Sequence, residues 1–158
     1  DTLLEGLLER NSKDKAVVIT HPHPLYGGNM HNNVVDAIRH AYHGHGYTTL
    51  RFNFRGTGSS QGTYDDGQGE QLDVRAAFDL LTDMDMTDIC LAGYSFGAWI
   101  NAMATCETVP VQHQIMVSPP VGFIEFTGIN SIRGLNLVVT GSRDDIALAE
   151  VIRDLMPD

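Results

Sequence analysis

Basic residues are scarce in this chain: 10 Lys and Arg stand against 20 Asp and Glu among 158 residues, a formal net charge of −10 with histidine neutral. The ten are scattered, whereas a nucleic-acid surface needs them clustered to meet phosphates, so no nucleic-acid partner is expected. Cysteine is scarcer still. Cys90 and Cys106 fit no CxxC or metal-ligand spacing and both lie in apolar sequence. Two buried, reduced thiols are expected, which suits a cytoplasmic setting. No apolar run approaches the roughly 18–20 residues that span a bilayer, so no membrane partner is expected either. Internal repeats and low-complexity tracts are missing too, and no secretory signal is visible at the start, where the chain begins at Asp1 rather than Met. With 42% apolar and 19% charged residues, the composition is that of one folded domain with a proper core.

What is present is alternation. Ala16-Val17-Val18-Ile19-Thr20 is a continuous apolar run that reads as a strand buried on both faces. From Met30 to about Tyr42, residues Val34, Val35, Ile38 and Tyr42 recur at helical spacing, and Gly44 and Gly46 end the helix. Tyr47 to Phe52 is a second strand, and Leu72, Ala76, Ala77 and Leu80 mark the apolar face of a second helix. Strands at Asp88–Ala92, Gln114–Val117 and Leu135–Val139 follow, with a helix from about Ser95 to Cys106 after the first of these. A last amphipathic helix carries Ile146, Leu148, Val151, Ile152 and Leu155, and the early Leu3-Leu4 and Leu7-Leu8 pairs suggest an edge hairpin. The pattern predicts an α/β fold, a three-layer α/β/α sandwich around a mostly parallel sheet.

In such sheets function sits at the carboxyl ends of the strands. There Gly93-Tyr94-Ser95-Phe96-Gly97 follows a strand and opens a helix, matching G-x-S-x-G in the context that pattern requires. A serine forced into a sharp strand-to-helix turn lies close to backbone on both sides, so glycine is needed two residues before and after. The turn projects the hydroxyl away from the sheet, and the helix start behind it offers N–H groups to an oxyanion. The bland reading is an N-capping serine; the flanking elements favour a nucleophile.

Acyl transfer by serine needs two backbone donors on the oxyanion, one from the residue after the nucleophile and one from a loop after an earlier strand. Phe96 supplies the first. The second falls in His21-Pro22-His23-Pro24-Leu25-Tyr26-Gly27-Gly28, where Pro22 and Pro24 have no N–H. His23 is the candidate donor, with Leu25 as fallback, and the prolines stiffen the loop. As metal ligands, His21, His23 and His31 lack an acidic or cysteine partner at a fitting spacing. His40, His43 and His45 read as a solvated helix end. A carboxylate after the last strand is where the acid that orients a base falls in chain order, and Thr140-Gly141-Ser142-Arg143-Asp144-Asp145 offers Asp144 or Asp145; spacing does not choose between them. Gly56-Thr57-Gly58-Ser59-Ser60-Gln61-Gly62 lacks both the sixth-position glycine and the lysine of nucleotide-binding loops, so it reads as a turn flanking the site.

Taken in order, these segments resemble the α/β-hydrolase superfamily, and within it the small, lidless branch of predicted hydrolases related to dienelactone hydrolases. The resemblance rests on His21 through Asn32, Leu50 through Ser60, Gly67-Gln68-Gly69-Glu70, Gly93 through Ala98 and Gly141 through Ile146. It implies Ser95 as nucleophile, favours Asp144 because the family reads Gly-x-x-Asp, places the oxyanion hole at the His23 and Phe96 amides, and implies no metal or organic cofactor. Members of that branch continue through another strand to a catalytic histidine, and no histidine follows His113 here. The expectation is therefore a single α/β-hydrolase domain over 1–158, incomplete at its C-terminal end and lacking the last strand and helix, with the base beyond Asp158.

The function expected is a serine hydrolase cleaving a small ester, thioester or related acyl compound through an acyl-enzyme on Ser95. The competing readings are a non-catalytic binding or scaffold module on the same fold, an inactive fragment, and an acyltransferase using the same serine. The partner expected is a small-molecule acyl substrate; oligomeric state is not legible.

Overall fold

The computed structural model describes residues 2–124, 126 and 132–153. Six strands form one sheet: β1 (Gly6–Glu9), β2 (Lys15–Thr20), β3 (Thr48–Phe52), β4 (Asp88–Tyr94), β5 (His113–Val117) and β6 (Leu135–Val139), in the spatial order β1-β3-β2-β4-β5-β6. All neighbours are parallel except β1, which runs antiparallel to β3 with Gly6 opposite Phe52. The leucine-rich start is thus one edge strand on β3 and forms no hairpin with β2, because the apolar strand that offers a free edge is β3.

The helices α1 (Asn33–Gly44), α2 (Gln68–Asp83), α3 (Phe96–Glu107) and α4 (Ala149–Arg153) complete the fold. The inner strands are apolar on both faces because both faces are covered. Val17 and Ile19 of β2 pack with Val35 and Ile38 of α1. Ala16 and Val18 turn the other way, to Val74 and Leu81 of α2 and Ile100 of α3. The period-2 alternation of a strand thus feeds two cores from one run. Asn32 starts α1 by accepting the Val34 N–H at 2.9 Å.

Three readings of the sequence need correction. On α2 the buried face is Val74, Ala77, Phe78 and Leu81, while Leu72 and Leu80 are exposed; both stripes have helical spacing, and the position of the sheet decides between them. Cys90 is buried, but Cys106, near the end of α3, is exposed. Finally, α4 begins only at Ala149, so Ile146 and Leu148 precede it and Ile152 alone of its described residues is buried; Leu155 lies outside the described residues.

Candidate active site

The carboxyl end of β4 turns directly into α3 through Ser95, whose backbone has φ 53° and ψ −119°. A non-glycine residue there carries roughly 1–3 kcal/mol of strain and persists only when its surroundings enforce it. They do. The Ser95 N–H donates to the Val117 carbonyl of β5 at 2.9 Å, and the Ser95 carbonyl accepts from Ala98 N–H at 2.9 Å. The two glycines have a steric reason. A Cβ on Gly93 would lie 2.5 Å from Ala98 N, and one on Gly97 would lie 2.7 Å from the Thr20 carbonyl carbon. Only glycine lets α3 settle this closely over β4 and β2.

The loop after β2 faces this turn. His21 is fully buried and tautomerically defined: Nδ1–H donates to the Pro22 carbonyl at 2.6 Å, and Nε2 accepts the Phe54 N–H at 3.0 Å. Burial pushes its pKa down to about 4, with the Pro22 bond opposing. His21 therefore fastens the end of β2 to the end of β3, and neither nitrogen is left for a metal. His23 caps the 3₁₀ turn Pro24–Tyr26, its Nδ1 accepting the Leu25 N–H at 3.3 Å. Its carbonyl accepts from Tyr26 and Gly28 at 3.1 and 3.0 Å. Among the described residues, neither the His23 nor the Phe96 N–H is engaged in a backbone hydrogen bond outside regular elements, and Leu25, the fallback donor, already gives its N–H to His23.

Asp144 lies beyond the end of β6, where its Oδ1 accepts the N–H groups of Ile146 and Ala147 at 3.0 and 2.9 Å. The Ala147 N–H first, then the Ser118 hydroxyl and the Ile146 N–H, hold the carboxyl below its usual range. Asp145 is exposed and leaves the capping of this turn to Asp144. One oxygen of Asp144 thus closes the turn, and the carboxylate stays anchored.

The structure brings Ser95, Phe96 and His23 to one cleft of about 330 Å³, whose walls also include Tyr26, Pro120, Phe123, Ile124 and Ile146. Asp144 does not line this cleft; it is joined to it through the Ile146 N–H that its Oδ1 accepts. His31 instead faces a separate polar hollow with Glu5 and Asn53, and His113 begins β5 at the opposite end of the sheet. His40 ends in contact with Asp36 on α1. No periodic signal marks Phe123 or Tyr64, because loop residues are recruited by three-dimensional proximity alone. Tyr64 reaches the site from the β3–α2 loop, with its hydroxyl 3.3 Å from His23 Nε2.

The family model described as X-Pro dipeptidyl-peptidase (S15 family) matches residues 10–126, a stretch running from before β2 to beyond the Ser95 turn. The chain belongs to this family of α/β hydrolases. An uncharacterized protein of Rickettsia prowazekii (strain Madrid E) is 36% identical over 160 residues, covering 97% of this chain and 67% of the relative. Among solved structures, an α-β serine hydrolase homologue from Coxiella burnetii is 33% identical over 98% of this chain and 80% of its own, with a TM-score of 0.85. A Xanthomonas campestris protein, described as an α/β serine hydrolase without lid, is 30% identical over 98% of this chain and 76% of its own, also with a TM-score of 0.85. The S15 hydrolase thus has the fold expected from its sequence. Among its described residues no helix is long and apolar enough to cross a membrane.

Proposed function

We propose that this S15-family chain is the core of a serine hydrolase that cleaves a small ester, thioester or related acyl compound through an acyl-enzyme on Ser95. The observation that carries the reading is the enforced backbone of Ser95, φ 53° at the head of α3, inside a cleft that it shares with His23 and Phe96. In the first step Ser95 Oγ attacks the acyl carbonyl carbon as its proton passes to an imidazole. The carbonyl oxygen becomes an oxyanion held by the His23 and Phe96 N–H groups, each donor worth roughly 2.7–4 kcal/mol in comparable sites. Collapse expels the alcohol or thiol, which takes the proton from the imidazolium. Water then repeats the sequence on the acyl-enzyme and releases the acid. Asp144 orients the imidazole and stabilises its charged form.

Three histidines are placed elsewhere or otherwise occupied: His21 is a buried fastener, His23 caps its own turn, and His113 is at the far end of the sheet. None of these three is the base in this proposal. The small, largely apolar cleft supports short uncharged acyl groups. The family description favours a second reading, cleavage of an X-Pro amide by the same serine.

Intact mass spectrometry of the full-length protein with a fluorophosphonate tests the reading. One adduct is expected, lost in Ser95→Ala together with hydrolysis of p-nitrophenyl acetate. An adduct that survives Ser95→Ala overturns the assignment. Turnover of a glycyl-prolyl p-nitroanilide without ester turnover selects the amide reading instead.

A further inference from the structure

The His23 ring raises a question that its backbone role does not answer: which nitrogen carries the proton, and what keeps it there. Nδ1 accepts the Leu25 N–H at 3.3 Å, so Nδ1 is bare and the neutral ring holds its proton on Nε2. Nε2 points at the Tyr64 hydroxyl oxygen, 3.3 Å away. The opposite tautomer would set an Nδ1–H against the Leu25 N–H, donor against donor, and undo the cap of the Pro24–Tyr26 turn. Burial holds the ring neutral by lowering its pKa, against the pull of the Glu70 and Asp66 carboxylates.

Tyr64 is well placed to enforce the choice, because the loop on either side of it is pinned. Glu70, fully buried in the first turn of α2, accepts the Asp65 N–H at 3.0 Å and the Gly67 N–H at 2.8 Å. Upstream, Arg55 binds the buried Asp73 through its N–H at 2.9 Å and its guanidinium at 2.7 Å. The ring of Tyr64 lies 5.1 Å from that of His23 and 6.0 Å from that of Phe96, and the His23 and Phe96 rings meet at 4.5 Å with a 48° tilt. One aromatic cluster therefore joins the two residues whose amides would hold the oxyanion to a third that stands behind the lining of the Ser95 cleft.

We propose that Tyr64 is a positioning residue: its hydroxyl accepts the His23 Nε2–H, fixes the tautomer that caps the Pro24–Tyr26 turn, and so sets the direction of the His23 amide. The proposal rests on the Ser95 and His23 reading above.

The test uses the full-length protein and two readouts, the rate of Ser95 phosphonylation by a fluorophosphonate and the affinity of a trifluoromethyl ketone, which forms a tetrahedral oxyanion adduct, against its methyl ketone counterpart, which does not. Tyr64→Phe keeps the ring and removes one hydrogen bond. It is expected to slow phosphonylation about fivefold and weaken the trifluoromethyl ketone by a similar factor, with the methyl ketone and the urea midpoint unchanged. In a His23→Phe background, Tyr64→Phe is expected to have no further effect. In a His23→Asn background, where the side-chain oxygen can accept the Leu25 N–H in place of Nδ1, Tyr64→Phe is likewise expected to have no further effect. Wild-type rates in Tyr64→Phe, an equal loss in the His23→Phe background, or a change confined to the urea midpoint overturns the positioning role while leaving Ser95 intact. Labelling that survives Ser95→Ala overturns the underlying reading, and the proposal with it.

Discussion

The two arms of the candidate site are built differently. On the β2–β3 side, buried polar groups tie loop to loop over long sequence distances. His21 bonds Phe54, and Arg55 bonds Asp73. Asn53 accepts the Met30 N–H at 2.8 Å while donating to Glu5 at 2.7 Å. On the β5–β6 side, β6 leaves Leu137 and Val139 about half exposed, and Asp144 is held mainly by N–H groups two and three residues ahead of it, with the Ser118 hydroxyl as a more distant partner. A buried polar group without its partner costs about 1–3 kcal/mol, so a network of them admits one arrangement and preorganises whatever it carries. A short turn admits its geometry locally. The β2–β3 arm is thus set by the whole fold, and the β5–β6 arm mostly by a short turn.

The largest expected effect separates chemistry from architecture on the acid side. In Asp144→Asn the amide oxygen can still accept the Ile146 and Ala147 N–H groups, so the turn survives while the negative charge is lost. A kcat loss of roughly 10³- to 10⁴-fold is expected, with a urea midpoint near wild type, and Asp145→Asn should retain full activity. Equal losses in the two variants would remove Asp144 from its role.

An intermediate effect probes the other arm. The pKa of His21 is lowered in the fold from 6.5 to about 4, so the unfolded chain binds a proton more readily than the native one. The stability that neutral His21 contributes is complete above about pH 6.5, declines as pH falls toward 4, and levels off below. Over that window about 3 kcal/mol should be lost. Urea titrations at several pH values measure it, and in His21→Gln that part of the slope should vanish. A slope unchanged in the variant would show that the β2–β3 fastener is not the acid-sensitive element.

The smallest effect concerns the rim between the arms. Phe123 is 78% exposed yet lines the Ser95 cleft, so its ring is available to cover an apolar acyl group. Phe123→Ala should raise KM for p-nitrophenyl butyrate about three- to tenfold, leaving kcat and stability near wild type. A change in kcat alone would place Phe123 in the chemistry rather than in binding.

Much of the architecture was legible because its causes are local. Continuous apolar runs mark strands covered on both faces, as with Ala16–Thr20, and the spacing of Gly93, Ser95 and Gly97 records where backbone must approach backbone. Misreadings arose where one pattern serves two geometries. Leu72 and Leu80 follow the same helical period as Val74 and Leu81, and the period states that a face exists without stating which one meets the sheet. Cys106 sits in apolar sequence on α3, yet its position on the helix turns it outward. His21 and His23 share one short motif, but the first lies under the loop and the second on it, a difference of burial that no spacing encodes.

The sequence by itself determined the fold class, the serine turn and the small set of residues able to act there, since backbone sterics and hydrophobic periodicity operate over a few residues. Only the tertiary structure decided that His21 is a neutral cross-link, that Asp144 rather than Asp145 is the anchored carboxylate, and that Tyr64 meets His23 from 41 residues away. Those outcomes depend on which loops the parallel sheet brings to the carboxyl ends of β2, β3, β4 and β6, and on the requirement that every polar group buried there find a partner.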